Sequence, residues 1–273
     1  MMPFTFLLQT GWFEFQLDCQ ETSAWFPPLR ERYTQFLSPA QKPSPTVAPI
    51  QITLRAPHTS TAPTGNKAPQ FTSTGVIFTS PGWEGAYDLT QQIGWVRPAS
   101  DYFIEEVDYF LRVVCALEAF HSGGMLFHAA GILRDGQAYV FFGHSGAGKT
   151  TVSRLSGEAN VMNDDLLLLH PEKGAWAVYS TPFFNPTQVA PRGNRNAPLA
   201  RMFQLVQNRE VYLENASPGQ TLAELIASIP VISTDPRRTL ELIARCQVMM
   251  AQVPVYRLHF RKDDTFWKAI EEN

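Results

Sequence analysis

Over the first hundred residues, apolar positions come in short runs. Residues 4–8, 12–17, 50–55 and 75–79 are rich in aromatic and β-branched side chains, which predicts strands. Residues 37–49 carry four prolines and 56–75 are dominated by Ser, Thr, Pro, Ala and Gly, so both predict loops. Around Ala99 the period lengthens. Ser100 or Asp101 can cap a helix whose apolar positions Phe103, Val107, Phe110, Leu111, Val114 and Leu117 share one face, and Gly123-Gly124 ends it. The pattern divides the chain into a small β-rich N-terminal domain, residues 1–99, suited to packing or partner recognition, and a second domain, residues 100–273, entered through this helix.

The second domain reads as mixed α/β with antiparallel hairpins. Two apolar runs, 125–133 and 138–142, are joined across Asp135-Gly136, a strong hairpin signal. Residues 160–163 and 166–170 predict strands interrupted by Asp164-Asp165. Residues 171–174 form a turn, and 175–179, 201–207 and 253–260 are further strands. Ser217-Pro218 and Asp235-Pro236 each place a capping residue before a proline, opening helices to about Ser228 and Ala251, and Asp263 can cap a short terminal helix.

Hydrophobic residues make up 44% of the 273 and aromatics 12%, enough for a folded core. A net charge of −3 provides no basic field for nucleic acid or an anionic membrane surface. The first residues lack the cationic lead and cleavage site of a signal peptide, and no apolar run reaches the roughly 18–20 residues that span a bilayer. The expected location is cytoplasmic, with Cys19, Cys115 and Cys246 as buried free thiols.

Chemistry enters at Gly143-His144-Ser145-Gly146-Ala147-Gly148-Lys149-Thr150, which fits G-x-x-x-x-G-K-[ST] at every fixed position. Glycines let the backbone curl so that successive N–H groups point at phosphate oxygens. Lys149 supplies a mobile charge for the outer phosphates, the Thr150 hydroxyl can ligate Mg²⁺, and a helix opening at Thr151 adds its positive end. The chain has no D-x-x-G and no N-K-x-D, which disfavours a switch GTPase.

Asp164-Asp165 follows this loop between apolar runs. A carboxylate there can hold Mg²⁺ or accept a proton from an attacking hydroxyl. Successive strand residues point to opposite faces, so one of the two faces the phosphates. His128 lies on the hairpin strand beside the one feeding the loop, within reach of Asp164. Arg192 and Arg195 sit in a Pro/Asn/Gly-rich loop that can present guanidinium groups to a transferring phosphate.

Taken together, Phe127-His128-Ala129-Ala130-Gly131, the hairpin, the phosphate loop and Asn163-Asp164-Asp165 resemble the catalytic domain of the HPr serine kinase/phosphorylases. They resemble still more the smaller HPr-kinase-related proteins found with peptide-modification systems. The resemblance covers about residues 126–260. It implies a phosphoenolpyruvate-carboxykinase-like P-loop kinase fold with ATP and Mg²⁺ as cofactors. Asp164 would be the catalytic base with His128 as its neighbour, Lys149 and residues 143–151 with Arg195 would hold the nucleotide, and Thr150, Asp164 and Asp165 would hold the metal. Three features depart from the family: its glutamate is missing near Pro191-Arg192-Gly193-Asn194-Arg195, its HPr-docking signature is not evident, so HPr is not the expected acceptor, and the N-terminal region does not match that of the true HPr kinases.

The expected function is therefore ATP-dependent phosphorylation of a serine-type hydroxyl on a peptide or small protein. The alternatives are a small-molecule kinase of the same fold and a non-catalytic, nucleotide-responsive peptide-binding module. The related enzymes assemble into rings, which leaves a homo-oligomer open.

Overall fold

The computed structural model describes residues 4–19, 25–38, 48–57, 68–80 and 82–273. Their contacts group into two compact units, Met1–Glu118 and Ala119–Asn273. The division falls after Glu118, so most of the long helix counts with the first unit rather than opening the second.

In the first unit, β1 (Phe4–Thr10) and β2 (Phe13–Cys19) form an antiparallel pair, followed by a short helix α1 (Phe26–Arg32) and β3 (Ile50–Leu54). Strands β4 (Gln70–Phe71), β5 (Gly75–Ser80), β6 (Trp83–Asp88) and β7 (Ile93–Arg97) complete one sheet in the order β1-β2-β3-β7-β6-β5-β4. Alternation sets which face is buried, with Phe13, Phe15, Leu17 and Cys19 all inside. Helix α2 (Phe103–His121) buries every one of its six expected apolar positions. Its three buried acids are all engaged: Asp108 accepts from Tyr33 Oη at 3.1 Å and Arg112 Nε at 2.7 Å, Glu106 accepts from the Ala99 N–H at 2.6 Å, and Glu118 accepts from Tyr87 Oη. The sequence reading missed α1, β6 and β7, and β4 lies in a stretch it took for a loop. Residues 39–47 and 58–67 of the two expected loops lie outside the described residues.

In the second unit, β8 (Met125–Arg134) and β9 (Gln137–Phe142) form the expected hairpin. Asp135 and Gly136 both have positive φ, 50° and 76°, the backbone that matches the twist of the two strands. Next come α3 (Lys149–Leu155), β10 (Val161–Asn163), β11 (Leu166–Glu172), β12 (Ala175–Ser180), the long β13 (Asn196–Gln207) and β14 (Tyr212–Glu214). Helices α4 (Pro218–Ala227) and α5 (Thr239–Gln252), strand β15 (Val255–Phe260) and α6 (Thr265–Glu271) finish the chain. The expected turn at 171–174 contracts to Lys173-Gly174, because β11 continues to Glu172.

Two strands change partners along their length. The first part of β8 pairs with β11 and the second with β9, while β13 pairs first with β12 and then with β9 and β15. The pairings β8-β11-β12-β13-β9 thereby close on themselves. Within this arrangement β9, β13 and β15 run parallel, so their C-terminal ends, Phe142, Gln207 and Phe260, lie together. Ligands bind beyond the carboxyl ends of parallel strands because the connecting loops there are free to vary. Beneath that edge Phe141 stacks on Phe203 at 5.2 Å, and Phe266 and Trp267 of α6 pack edge-on to Phe141. Among the described residues, no helix is long and apolar enough to cross a membrane, and the three cysteines are buried and free.

Candidate functional site

The glycine-rich segment leaves β9 at its C-terminal end and turns into α3. Gly143, Gly146 and Gly148 have φ of 149°, 81° and 117°, conformations that side-chain-bearing residues rarely adopt. At Gly148 there is also no room, since a Cβ would meet the Phe260 ring at 2.5 Å. Ala147 is buried in the core, whereas His144, Ser145 and Gly146 form the exposed tip. The tip is fixed from both sides: Ala147 N–H donates to His144 O at 3.1 Å, and Gln207 Nε2 donates to Gly146 O at 2.7 Å.

Lys149 is only 8% exposed, and its Nζ donates to Gly143 O at 2.9 Å and His144 O at 3.4 Å. Burial lowers its proton affinity, and the charges of Asp165 and Asp164 counter that. Thr150 and Thr151 follow as half-buried residues of α3, with the Thr150 hydroxyl among the groups that favour the charged form of Asp164.

The two aspartates have separate environments. Asp164 is fully buried; it accepts from Ser153 Oγ at 2.9 Å and from Val189 N–H at 3.3 Å. Burial raises its carboxyl above the ordinary range, partly offset by the Ser153, Val189 and Thr150 hydrogen bonds. Asp165 is partly exposed and lies 3.4 Å from His128 Nε2. The sequence reading had His128 reaching Asp164; the structure pairs it with Asp165 instead, because Leu166 lies opposite His128 in the β8–β11 register and brings the preceding residue alongside. Asn163 holds this corner. Its Oδ1 accepts the N–H groups of Asp165 and Leu166 at 2.7 and 3.1 Å, while its Nδ2 donates to Thr181 O and Phe183 O, both at 2.9 Å.

A cleft of about 300 Å³ brings much of this together. Ser145, Gly146, Gly148, Lys149, Thr150 and Thr151 line it on the loop side, with His128 opposite. Three further lining residues escaped the sequence reading: Gln188, Gln207 and Lys262. Gln207 ends β13 and Lys262 follows β15, so the signal that would have found them is the parallel pairing of these strands with β9. Arg195 is not among the cleft residues. Its guanidinium donates to Ala159 O at 2.8 Å, and Arg192 is exposed.

Chemically, the site combines a backbone cradle, two lysines, a hydroxyl beside a buried carboxylate, and a second carboxylate paired with a histidine. The oxygens of Thr150 and Asp164 are hard donors suited to Mg²⁺, which takes one or two protein ligands and completes its shell with phosphate oxygens and water. The cost of burying the Asp164 charge is one that a divalent cation would offset. Among the described residues, no group of three or more His, Cys, Asp or Glu forms an all-protein cage.

No curated protein matches the chain. Residues 104–273 match the family described as SynChlorMet cassette protein ScmC, a span that contains the loop, both aspartates, His128 and Lys262. With more than half of its length inside that match, the chain belongs to the ScmC family.

Proposed function

We propose that this protein is an ATP-dependent kinase that transfers the γ-phosphoryl group to a serine-type hydroxyl of a peptide or small protein. The observation that carries the reading is the position of the Gly143-to-Thr150 loop between two aspartates of unlike burial and a run of parallel strand ends. The serine-type acceptor rests on the resemblance to HPr-kinase-related proteins.

Loop amides and Lys149 hold the β- and γ-phosphates, and the ammonium exchanges its Gly143 and His144 carbonyl partners for phosphate oxygens. Thr150 and Asp164 would hold Mg²⁺, which when bound neutralises charge on the β- and γ-phosphates. The acceptor hydroxyl oxygen bonds to the γ-phosphorus as the bond to the β-phosphate oxygen breaks, and ADP leaves. The hydroxyl proton passes to Asp165, whose carboxylate is oriented by His128. This assigns to Asp165 the role that the resemblance gives to Asp164. Asp164 is fully buried and already accepts hydrogen bonds from Ser153 Oγ and the Val189 N–H, which suits metal binding better than proton transfer.

The test is titration with Mg·ATP while ADP release is followed with and without serine-containing peptides and small hydroxyl compounds. The expected result is binding and peptide-stimulated release, both lost in Lys149→Ala. Stimulation by small compounds alone would make the protein a small-molecule kinase. Binding without turnover would make it a nucleotide-responsive module.

A further inference from the structure

Beside the phosphate cleft lies a second, open cavity of about 710 Å³, lined by Gln207, Asn208, Arg209, Phe260, Arg261 and Lys262. The two share Gln207 and Lys262, so a ligand can run from one into the other. Strand order gives that ligand a direction. β8 lies on one side of β9, and β13, followed by β15, on the other. The loop leaving β9 therefore has His128 and Asp165 on one flank and the ends of β13 and β15 on the other. A triphosphate reacting at the His128–Asp165 flank has its nucleoside end toward Gln207 and Lys262.

We infer that the cavity formed by 207–209 and 260–262 holds the nucleoside and α-phosphate portion of the nucleotide; the inference rests on the phosphate-loop reading above. The rim is built rather than loose. Asn208 N–H donates to Phe260 O at 2.8 Å, Asn208 Nδ2 lies 3.3 Å from His259 Nδ1, and Asn208 Oδ1 accepts the Arg209 N–H at 2.6 Å. His259 is held in turn by Glu214 at 2.7 Å and by a parallel stack on Tyr212 at 4.2 Å. This small network joins β15, β14 and the turn after β13, and it sets where Arg209 leaves the backbone. Arg209, Arg261 and Lys262 are exposed at the cavity, and Arg261 Nε is oriented by Asp263. Guanidinium groups combine charge for an α-phosphate with a flat face on which a base can stack, whereas an ammonium offers charge alone. The volume lies within the range of small-ligand sites.

The Arg-to-Lys contrast supplies the test. Calorimetric affinities of the full chain for Mg·ATP and for Mg·tripolyphosphate are compared in the wild type and in the double variant Arg209→Lys/Arg261→Lys, which keeps the charge and removes both flat faces. The expected result is about a tenfold loss for ATP with tripolyphosphate nearly unchanged. An unchanged ratio of the two affinities would overturn the inference while leaving the phosphate loop intact, and would free the cavity for the acceptor. Failure of the wild type to bind either ligand would instead sink the phosphate-loop reading and this inference with it.

Discussion

His128 Nε2 lies 3.4 Å from Asp165 Oδ1, while Asp164, the next residue back along the chain, is fully buried and hydrogen-bonded to Ser153 and Val189. Two neighbouring carboxylates therefore have different surroundings, and under the proposed function their variants should separate. Asp165→Asn is expected to lower kcat by roughly 100- to 10,000-fold, the usual worth of a positioned base, with Mg·ATP affinity within about threefold of wild type. Asp164→Asn should instead weaken nucleotide affinity in a Mg²⁺-dependent way. Wild-type turnover in Asp165→Asn would remove that residue from the proton-transfer step.

Asp164 also ties stability to pH. Its carboxyl binds a proton more tightly in the folded chain than in the unfolded one, because burial disfavours the charge. Between the ordinary carboxylate value and the raised one, the folded state holds more protons, so stability falls as pH rises through that window and stays lower above it. Without Mg²⁺, Asp164→Asn should melt above wild type at pH 7, and the difference should vanish once the solution is acidic enough to protonate Asp164 in both states. Thermal melts across pH check this; a variant that melts below wild type at pH 7 would contradict the sign.

Much of this site was legible in the sequence because its signals are local. The glycines, Lys149 and Thr150 depend on one turn, the Asp135-Gly136 hairpin on two φ angles, and the buried face of α2 on a helical period. What escaped depends on pairing between distant strands. Gln207 and Lys262 reach the cleft only because β13 and β15 run parallel to β9, a register that no single segment encodes. The partner of His128 was misjudged for the same reason, since the β8–β11 register chooses between adjacent aspartates. In the first unit β6 and β7 escaped because Gly85 and Gly94 interrupt their apolar alternation. Yet at both positions a Cβ would meet a neighbouring strand's carbonyl oxygen at 2.9 Å, so close strand packing requires the glycines there.

Asn163 carries no charge, yet it sets the Asp165 backbone. Replacing it by Ala would remove the hydrogen bonds it makes to the Asp165 and Leu166 N–H groups and to the Thr181 and Phe183 carbonyls, three of them buried. Unsatisfied buried groups of this kind cost about 1–3 kcal/mol each, with partial relaxation, so a loss of about 2–4 kcal/mol is expected in denaturant unfolding. Because the Asp165 backbone would be freed, kcat should fall as well. A variant with reduced stability but unchanged kcat at low temperature would make Asn163 structural only.

Gly146 and Gly148 share a positive φ but not the same surroundings, and the difference predicts unequal costs. A Cβ on Gly146 meets nothing within 4 Å, whereas one on Gly148 meets Phe260 Cζ at 2.5 Å. Gly146→Ala should lose only the backbone term, about 1–2 kcal/mol. Gly148→Ala should lose that term and a packing term besides, roughly 3 kcal/mol or more in total, as the Phe260 ring is pushed from the core. Phe260→Leu would remove the ring atoms that clash, so added to Gly148→Ala it should recover part of the loss, although alone it is destabilising by about 1 kcal/mol. Nucleotide affinity should follow the same order, because the displaced ring lies under the loop and lines the neighbouring cavity. Equal stability losses for the two glycine variants, or no recovery in the double variant, would mean that the close approach of Phe260 does not set the shape of the loop.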